Sequence, residues 1–424
     1  MFNKKSFIEI EKAKFNRNSF VKPLSESYCF SNICDGIEDS LIGKTNSKLP
    51  RDVFGGLKNE YKNVVLFVID SFGWSLFNKL YNDNLLPTEL LKNSVISQMT
   101  AQFPSTTAAE LTSIHTGMSV EETGIYEWFY HDKNVGAIIC PLLFSLATDK
   151  NRNSLLNEGA DPKKIFPFST FYEKLNRNNI VSSVFTPQAF NPSIYNDTLL
   201  QGSNGIWYEN IEDGLNTLIN GINKEKNKSY NLFYFDKIDS IGHKKGPLSR
   251  ESVDEATSFI AKVANCFEQL TEKNKTLVIL TADHGQIKIN PGKTTYLNKL
   301  MPDLEDKLLR NKFNKPLIPA GGCRDMFLYV KPEYLDWCYE NLTLKLKNIA
   351  KVYKTNDLIS MGFWQNKLNL SLLNERVGDI VIIPDKKNLI WWNNKEEQFT
   401  IKHISHHGGL SEEEMLIPFI CFER

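Results

Sequence analysis

The apolar positions of this chain fall into short unbroken runs separated by longer amphipathic stretches. Val64-Val65-Leu66-Phe67-Val68-Ile69 closes on Asp70, and Leu232-Phe233-Tyr234-Phe235 closes on Asp236. Similar runs occur at 180–185 and at Thr276-Leu277-Val278-Ile279-Leu280, the latter ahead of Thr281-Ala282-Asp283. Runs of this length suit parallel strands buried on both faces and are too short to require helices. Helix-like stretches at 107–116, 209–223 and 250–272 alternate with them. The alternation predicts an α/β fold with a doubly wound, mostly parallel central sheet flanked by helices. Residues 1–60 lack sustained periodicity and carry turn-rich pieces such as Asp35-Gly36 and Gly55-Gly56, so an irregular N-terminal extension is expected ahead of one large domain over 61–424. Two regions, near 127–168 and 286–399, break the alternation and are read as insertions forming a small cap or lid. The second holds a predicted strand at Met326–Val330 and a helix-like stretch at 332–350.

Composition narrows the classes. At 424 residues with 41% hydrophobic and 24% charged positions, the chain has material for a large core. Fifty basic residues balance fifty acidic ones, so no net field favours nucleic acid or a membrane surface, and neither is expected as a partner. Charge at Lys4, Lys5, Glu9, Glu11 and Lys12 in place of an apolar run argues against a secretory leader, and no apolar stretch is long enough to span a bilayer. The seven cysteines are scattered and odd in number, as free thiols in a reducing compartment would be. A cytoplasmic location is expected.

Candidate chemistry gathers where open α/β sheets bind ligands, at the carboxyl ends of strands. Asp70 ends the first run. Asp239 and His243 follow the third in Asp239-Ser240-Ile241-Gly242-His243, and Asp283-His284-Gly285 follows the fourth. A further piece, His403-Ile404-Ser405-His406-His407-Gly408-Gly409, lies near the C-terminus. Alone, each has a plain explanation: an Asp caps a helix, an i, i+4 pair sits on a surface, a His-Gly turn is a loop. Together they form a set of Asp and His ligands of the kind that holds zinc-like cations, with three protein ligands for each of two metals. An independent signal is Phe103-Pro104-Ser105-Thr106-Thr107-Ala108-Ala109, where three hydroxyls precede a helix-favouring run. The last would sit at a helix N-terminus, either as an ordinary cap or as a nucleophile facing an anion.

These motifs, in this order, resemble the type I phosphodiesterase / nucleotide pyrophosphatase family of the alkaline phosphatase superfamily. The resemblance rests on Val68-Ile69-Asp70, on Phe103–Thr107 through Thr116-Gly117 and Thr123-Gly124-Ile125, on Asp239 to His243 and Gly246, on Thr281–Gly285 and on His407-Gly408-Gly409-Leu410-Ser411. It implies an alkaline phosphatase-like fold. It also implies Thr107 as nucleophile, counted back from Gly117, with Thr106 as the alternative. Asp70, Thr107, Asp283 and His284 match the ligands of one zinc; Asp239, His243 and His407 match those of the other. His406 is the alternative to His407, with His403 behind it. Two departures stand out. The asparagine expected shortly after Gly124-Ile125 is absent, the stretch reading Tyr126-Glu127-Trp128, and the usual Asp-Gly after the first strand is Asp70-Ser71.

The expected activity is hydrolysis of phosphodiester or pyrophosphate bonds through a phospho-threonine intermediate, with two divalent cations, zinc foremost, and a nucleotide as the family-typical substrate. The alternatives are a phosphomonoesterase, a phosphonate hydrolase or a phosphosugar mutase of the same superfamily, or a scaffold that keeps the fold without the chemistry. A sulfatase lacks support because there is no Cys-x-Pro-x-Arg sequence. Tyr126, Trp128, Phe129 and Tyr130 are read either as core aromatics or as a platform for a base. Arg324, in the second insertion, would favour monoesters if it folded over the site.

Overall fold

The computed structural model describes residues 1–16, 20–43, 46–149, 151–364, 371–393 and 401–424. Parts of the second predicted insertion, 365–370 and 394–399, lie outside them. Seven strands form the central sheet: β1 (Asn63–Ile69), β2 (Val95–Thr100), β3 (Val181–Pro187), β4 (Asn204–Tyr208), β5 (Ser229–Phe235), β6 (Thr276–Thr281) and β7 (Leu416–Glu423), in the spatial order β2-β7-β6-β1-β5-β3-β4. All are parallel except β7, which runs antiparallel to both neighbours. The four strands expected from apolar runs are β1, β3, β5 and β6. The runs of β1, β5 and β6 are buried at every position because they occupy the middle of the sheet, with Leu66 opposite both Leu232 and Ile279.

The helices that matter for the site or core are α1 (Ile33–Ile42), α2 (Thr107–Thr116), α3 (Ile211–Lys224), α4 (Lys237–Lys245) and α5 (Arg250–Cys266). Phe259 of α5 stacks on Phe235 of β5 with ring centroids 3.9 Å apart, and Leu218 and Ile219 of α3 join the same core. The N-terminal region corrects the expectation of an irregular extension. It holds a helix at Lys4–Ala13 as well as α1. In α1, Ile33, Ile37 and Leu41 recur at helical spacing and are fully buried, but Gly36 and Ser40 share that buried face and dilute the apolar stripe in the sequence. Packing against Phe54, Val64 and neighbouring core residues defines that face.

The two predicted insertions carry their own sheets. Tyr130–Asp132, Ala137–Cys140 and Ser145–Leu146 make a small antiparallel meander. A four-stranded antiparallel sheet is built from Gly321–Gly322, Asp325–Leu328, Ile380–Pro384 and Ala350–Lys354 in that order, over a separate core that includes Leu297, Met326, Leu342 and Ile382. Among the described residues no helix is long and apolar enough to cross a membrane.

Candidate active site

The carboxyl ends of β1, β5 and β6 lie side by side, and the residues that follow them converge. Asp70 follows β1, α4 follows β5 with Asp239 and His243 one turn apart on it, and Asp283-His284 follows β6. The C-terminal histidines arrive by local pairing: Ile287 pairs with His406, and Ser105 forms a bridge with Gly408. Ser105 ties the segment carrying the two candidate threonines to this loop, its hydroxyl donating to the Gly409 carbonyl (2.9 Å) and accepting from the Gly408 N–H (3.2 Å). Gly408 has φ +112°, and a Cβ there would stand 2.6 Å from Asp325 Oδ1, so only glycine fits.

The structure thus brings together Asp70, Thr107, Asp239, His243, Asp283, His284 and His407. His284 Nε2 lies 3.0 Å from Thr107 Oγ1, 3.5 Å from Asp70 Oδ1 and 3.4 Å from Asp283 Oδ2. On the other side, His243 Nε2 and His407 Nε2 lie 3.3 and 3.9 Å from Asp239 Oδ1. Asp239 also belongs to the group with Asp70 and His284, so it sits between the two halves.

Three observations fit cations at this place. Asp70 Oδ1 and Asp283 Oδ2 are buried without a hydrogen-bond partner among the described residues, a costly state for carboxylates unless something positive answers them. Each of the three histidines has Nδ1 against a backbone carbonyl, of Ser405 (2.8 Å), Gly285 (3.1 Å) and Ser105 (3.1 Å), which turns Nε2 toward the acids. A second partner of this kind fixes tautomer and orientation in metal-ligating histidines. Burial, then the charges of Asp283 and Asp239, push the Asp70 carboxyl well above its usual range, while burial and neighbouring imidazoles hold His407 well below. Crowded carboxyl oxygens beside imidazole nitrogens form a donor set suited to divalent ions.

The two candidate nucleophiles separate cleanly. Thr106 is the N-cap of α2: its hydroxyl accepts the Ala109 N–H (3.4 Å) and donates to the Tyr126 carbonyl (3.1 Å). Thr107, the first helical residue, points instead into the acid–histidine cluster. His406 and His403 group with His243 at the edge of the site, and His407 takes the inner position. Ser71, where the family resemblance implies glycine, holds a left-handed φ of +64°, and its N–H donates to Asp283 Oδ1 (2.9 Å). The turn is therefore kept at the modest conformational cost a non-glycine residue incurs there.

Arg324 does not fold over the site. It is fully buried in a two-point ion pair with Glu414, both bonds 2.9 Å, and Glu414 in turn accepts from Gly409 N, Ser411 N and Ser411 Oγ. The pair braces the loop that carries His407. Sequence reading missed Glu414, and also Tyr234, whose hydroxyl donates to Asp70 Oδ2, and Gln286, whose amide donates to Asp239. Tyr234 had a faint signal, a polar tip in a fully buried strand; Gln286 had none beyond adjacency to Asp283-His284-Gly285. The aromatic run is divided: Tyr126 and Tyr130 are core, whereas Trp128 is 38% exposed at the site.

The sheet order and the strand-end acid–histidine cluster define an alkaline phosphatase-like protein. Similar solved structures share this fold. The murine ectonucleotide pyrophosphatase / phosphodiesterase 5 superimposes with a TM-score of 0.63 at 17% identity, over 85% of this chain and 87% of that one. A second structure of the murine protein, an inactive threonine-to-alanine variant in complex with AMP, gives the same values. The human protein of that name gives 0.62 at 18%, over 85% and 87%. Phosphonoacetate hydrolase from Sinorhizobium meliloti 1021, in complex with phosphonoacetate, gives 0.60 at 14%, over 84% and 89%. No curated protein sequence matches. The model of the type I phosphodiesterase / nucleotide pyrophosphatase family matches residues 64–409, and the chain belongs to that family. It is accordingly an enzyme, a hydrolase acting on phosphate ester or anhydride bonds.

Proposed function

We propose that this chain is a metal-dependent phosphodiesterase or nucleotide pyrophosphatase that works through a phospho-threonine intermediate on Thr107. Two divalent cations, zinc foremost, would be held by Asp70, Asp283 and His284 with Thr107, and by Asp239, His243 and His407. The observation that carries the reading is the convergence of orphaned Asp70 and Asp283 oxygens with three backbone-oriented imidazoles around one uncapped threonine hydroxyl. When bound, such cations supply charge for the phosphoryl oxygens and make a neutral hydroxyl or water nucleophilic. Thr107 Oγ1 forms the bond to phosphorus as the ester or anhydride bond breaks, and water then cleaves the phospho-threonine. The N-terminal end of α2 faces the developing negative charge.

A small phosphate-bearing ligand, a nucleotide by preference, is the proposed substrate, in keeping with the AMP complex of the murine protein and the phosphonoacetate complex of the bacterial hydrolase. Engagement of Arg324 by Glu414 supports diesters over dianionic monoesters, since that guanidinium is spent on the loop. Seven buried free thiols accord with the proposed cytoplasmic location. The test compares kcat/KM for bis-p-nitrophenyl phosphate, the p-nitrophenyl ester of thymidine monophosphate and p-nitrophenyl phosphate under matched metal loading. Diesters should lead; a monoester with the highest value would refute the assignment and favour phosphatase or mutase chemistry.

A further inference from the structure

Two cavities open on either side of Thr107. The smaller, of about 290 Å³, is walled by Leu142 and Leu143 of the first insertion, Phe190, Tyr195 and the α2 residue Leu111. Arg152 stands in it, its guanidinium donating to the Ala189 carbonyl (2.9 Å) and lying 6.0 Å from the Phe190 ring. The larger, of about 520 Å³, is walled by Phe129, Gly322, Trp391 and Ile401, with Lys402 and His403 also lining it. Both volumes fall near or within the span of ordinary ligand pockets. The first insertion therefore lines both cavities, through Leu142 and Leu143 in the smaller and Phe129 in the larger, and the second insertion joins it at the larger through Gly322 and Trp391.

Three residues line both cavities: Thr107, Asp239 and Trp128. The first two belong to the reacting centre. Trp128 does not, yet it is a large aromatic ring left 38% exposed beside the centre of a hydrolytic site. It follows the buried Glu127, which lines the larger cavity beside it. A phosphorus atom placed at Thr107 lies on the seam between the cavities, and its two ester oxygens can direct their substituents into different ones.

We propose, building on the diesterase reading, that Trp128 is a specificity-determining divider between two substituent chambers. The preferred substrate is then a phosphodiester with a bulky, ring-bearing group on each side: one against Leu142, Leu143 and Phe190 in the smaller chamber, the other against Phe129, Trp391 and Ile401 in the larger. Apolar walls reward a flat ring by removing its surface from water.

The test uses a catalytically silenced, zinc-loaded Thr107→Ala protein titrated calorimetrically with diphenyl phosphate and with methyl phenyl phosphate. The first should bind about tenfold more tightly, because only it fills both chambers. Adding Trp128→Ala, or separately Leu142→Trp to fill the smaller chamber, should cut that advantage below about threefold; in the Thr107 protein, Trp128→Ala should raise KM for bis-p-nitrophenyl phosphate about tenfold and leave kcat within about threefold. Leu142 and Trp128 are both partly exposed, so each variant is expected to melt within a few degrees of its parent. Equal binding of the two ligands, or an advantage that survives both substitutions, would overturn the divider while diesterase activity persists. A zinc-loaded Thr107 protein that cleaves no diester at all would overturn the underlying reading, and this inference with it.

Discussion

Replacing the two adjacent threonines one at a time should give opposite results, because the fold uses their hydroxyls differently. Thr106→Ala removes an N-cap and the donor to the Tyr126 carbonyl. Loss of a cap costs about 1 kcal/mol, and a buried carbonyl stripped of its donor costs about 1 kcal/mol more. About 2 kcal/mol of stability should go, while the nucleophile stays in place and turnover falls by no more than about tenfold as the helix start loosens. Thr107→Ala removes no cap: among the described residues the one hydrogen-bond partner of its hydroxyl is Nε2 of the buried His284. Alanine suits the first helical position, which offsets part of the lost bond, so stability should change by less than about 1 kcal/mol. Turnover should fall by a factor on the order of 1,000 or more, as when a nucleophile is deleted from an otherwise intact site. Thr107→Ser should keep part of the activity, since the hydroxyl survives with a looser rotamer. Urea denaturation and initial rates on bis-p-nitrophenyl phosphate, with metal content matched, measure both axes. The reasoning fails if Thr107→Ala retains wild-type rates, or if Thr106→Ala abolishes turnover without loss of stability.

Purified protein should carry up to two divalent ions per chain, and chelation should abolish activity and lower the melting temperature; metal-free protein indifferent to chelator would contradict the cluster's assignment. Alanine at Asp283 or at His243 should each remove one ion preferentially, read by elemental analysis. Arg324→Met leaves the Glu414 carboxylate buried without its cation, and the cost should be about 3 kcal/mol together with weaker metal retention through the His407 loop; a loss under about 1 kcal/mol in denaturant would show that the brace is dispensable. Burial depresses His115 from 6.5 to about 3, so below pH 6.5 the unfolded chain takes up a proton that the fold refuses until near pH 3. This part of the stability is complete above about pH 6.5 and drains away as pH falls toward 3, at up to about 1.4 kcal/mol per pH unit. His115→Gln, measured by denaturation across that window, should flatten the acid limb; an unchanged slope would refute the contribution.

The central strands were legible because strands covered on both faces must be apolar at every position, and Val64–Ile69 and Leu232–Phe235 satisfy that without help from neighbours. Strands β2, β4 and β7 were not read. Val95–Thr100 mixes polar residues with apolar ones, Asn204–Tyr208 is an edge strand with a glycine, and Leu416–Glu423 contains Pro418, which argues against an interior strand. Pro418 is tolerated between β6 and β2, where its carbonyl accepts the Thr281 hydroxyl at 2.8 Å.

The candidate ligands were likewise visible, since Asp and His at strand ends announce themselves by type and place. What they face was not. Thr106 and Thr107 are chemically identical neighbours, and only the helix start, with one residue extended and the next helical, aims one hydroxyl at the backbone and the other at His284. Whether Arg324 folds over the site is open in the sequence, and Glu414, ninety residues away, decides it by pairing with the guanidinium. Residue types and spacing alone thus marked out the interior strands and the acids and histidines at their ends, because both follow from local composition. Which hydroxyl is free, which charge is paired and which tryptophan stands beside the reacting centre depend on contacts between distant segments, and only the tertiary structure decides them.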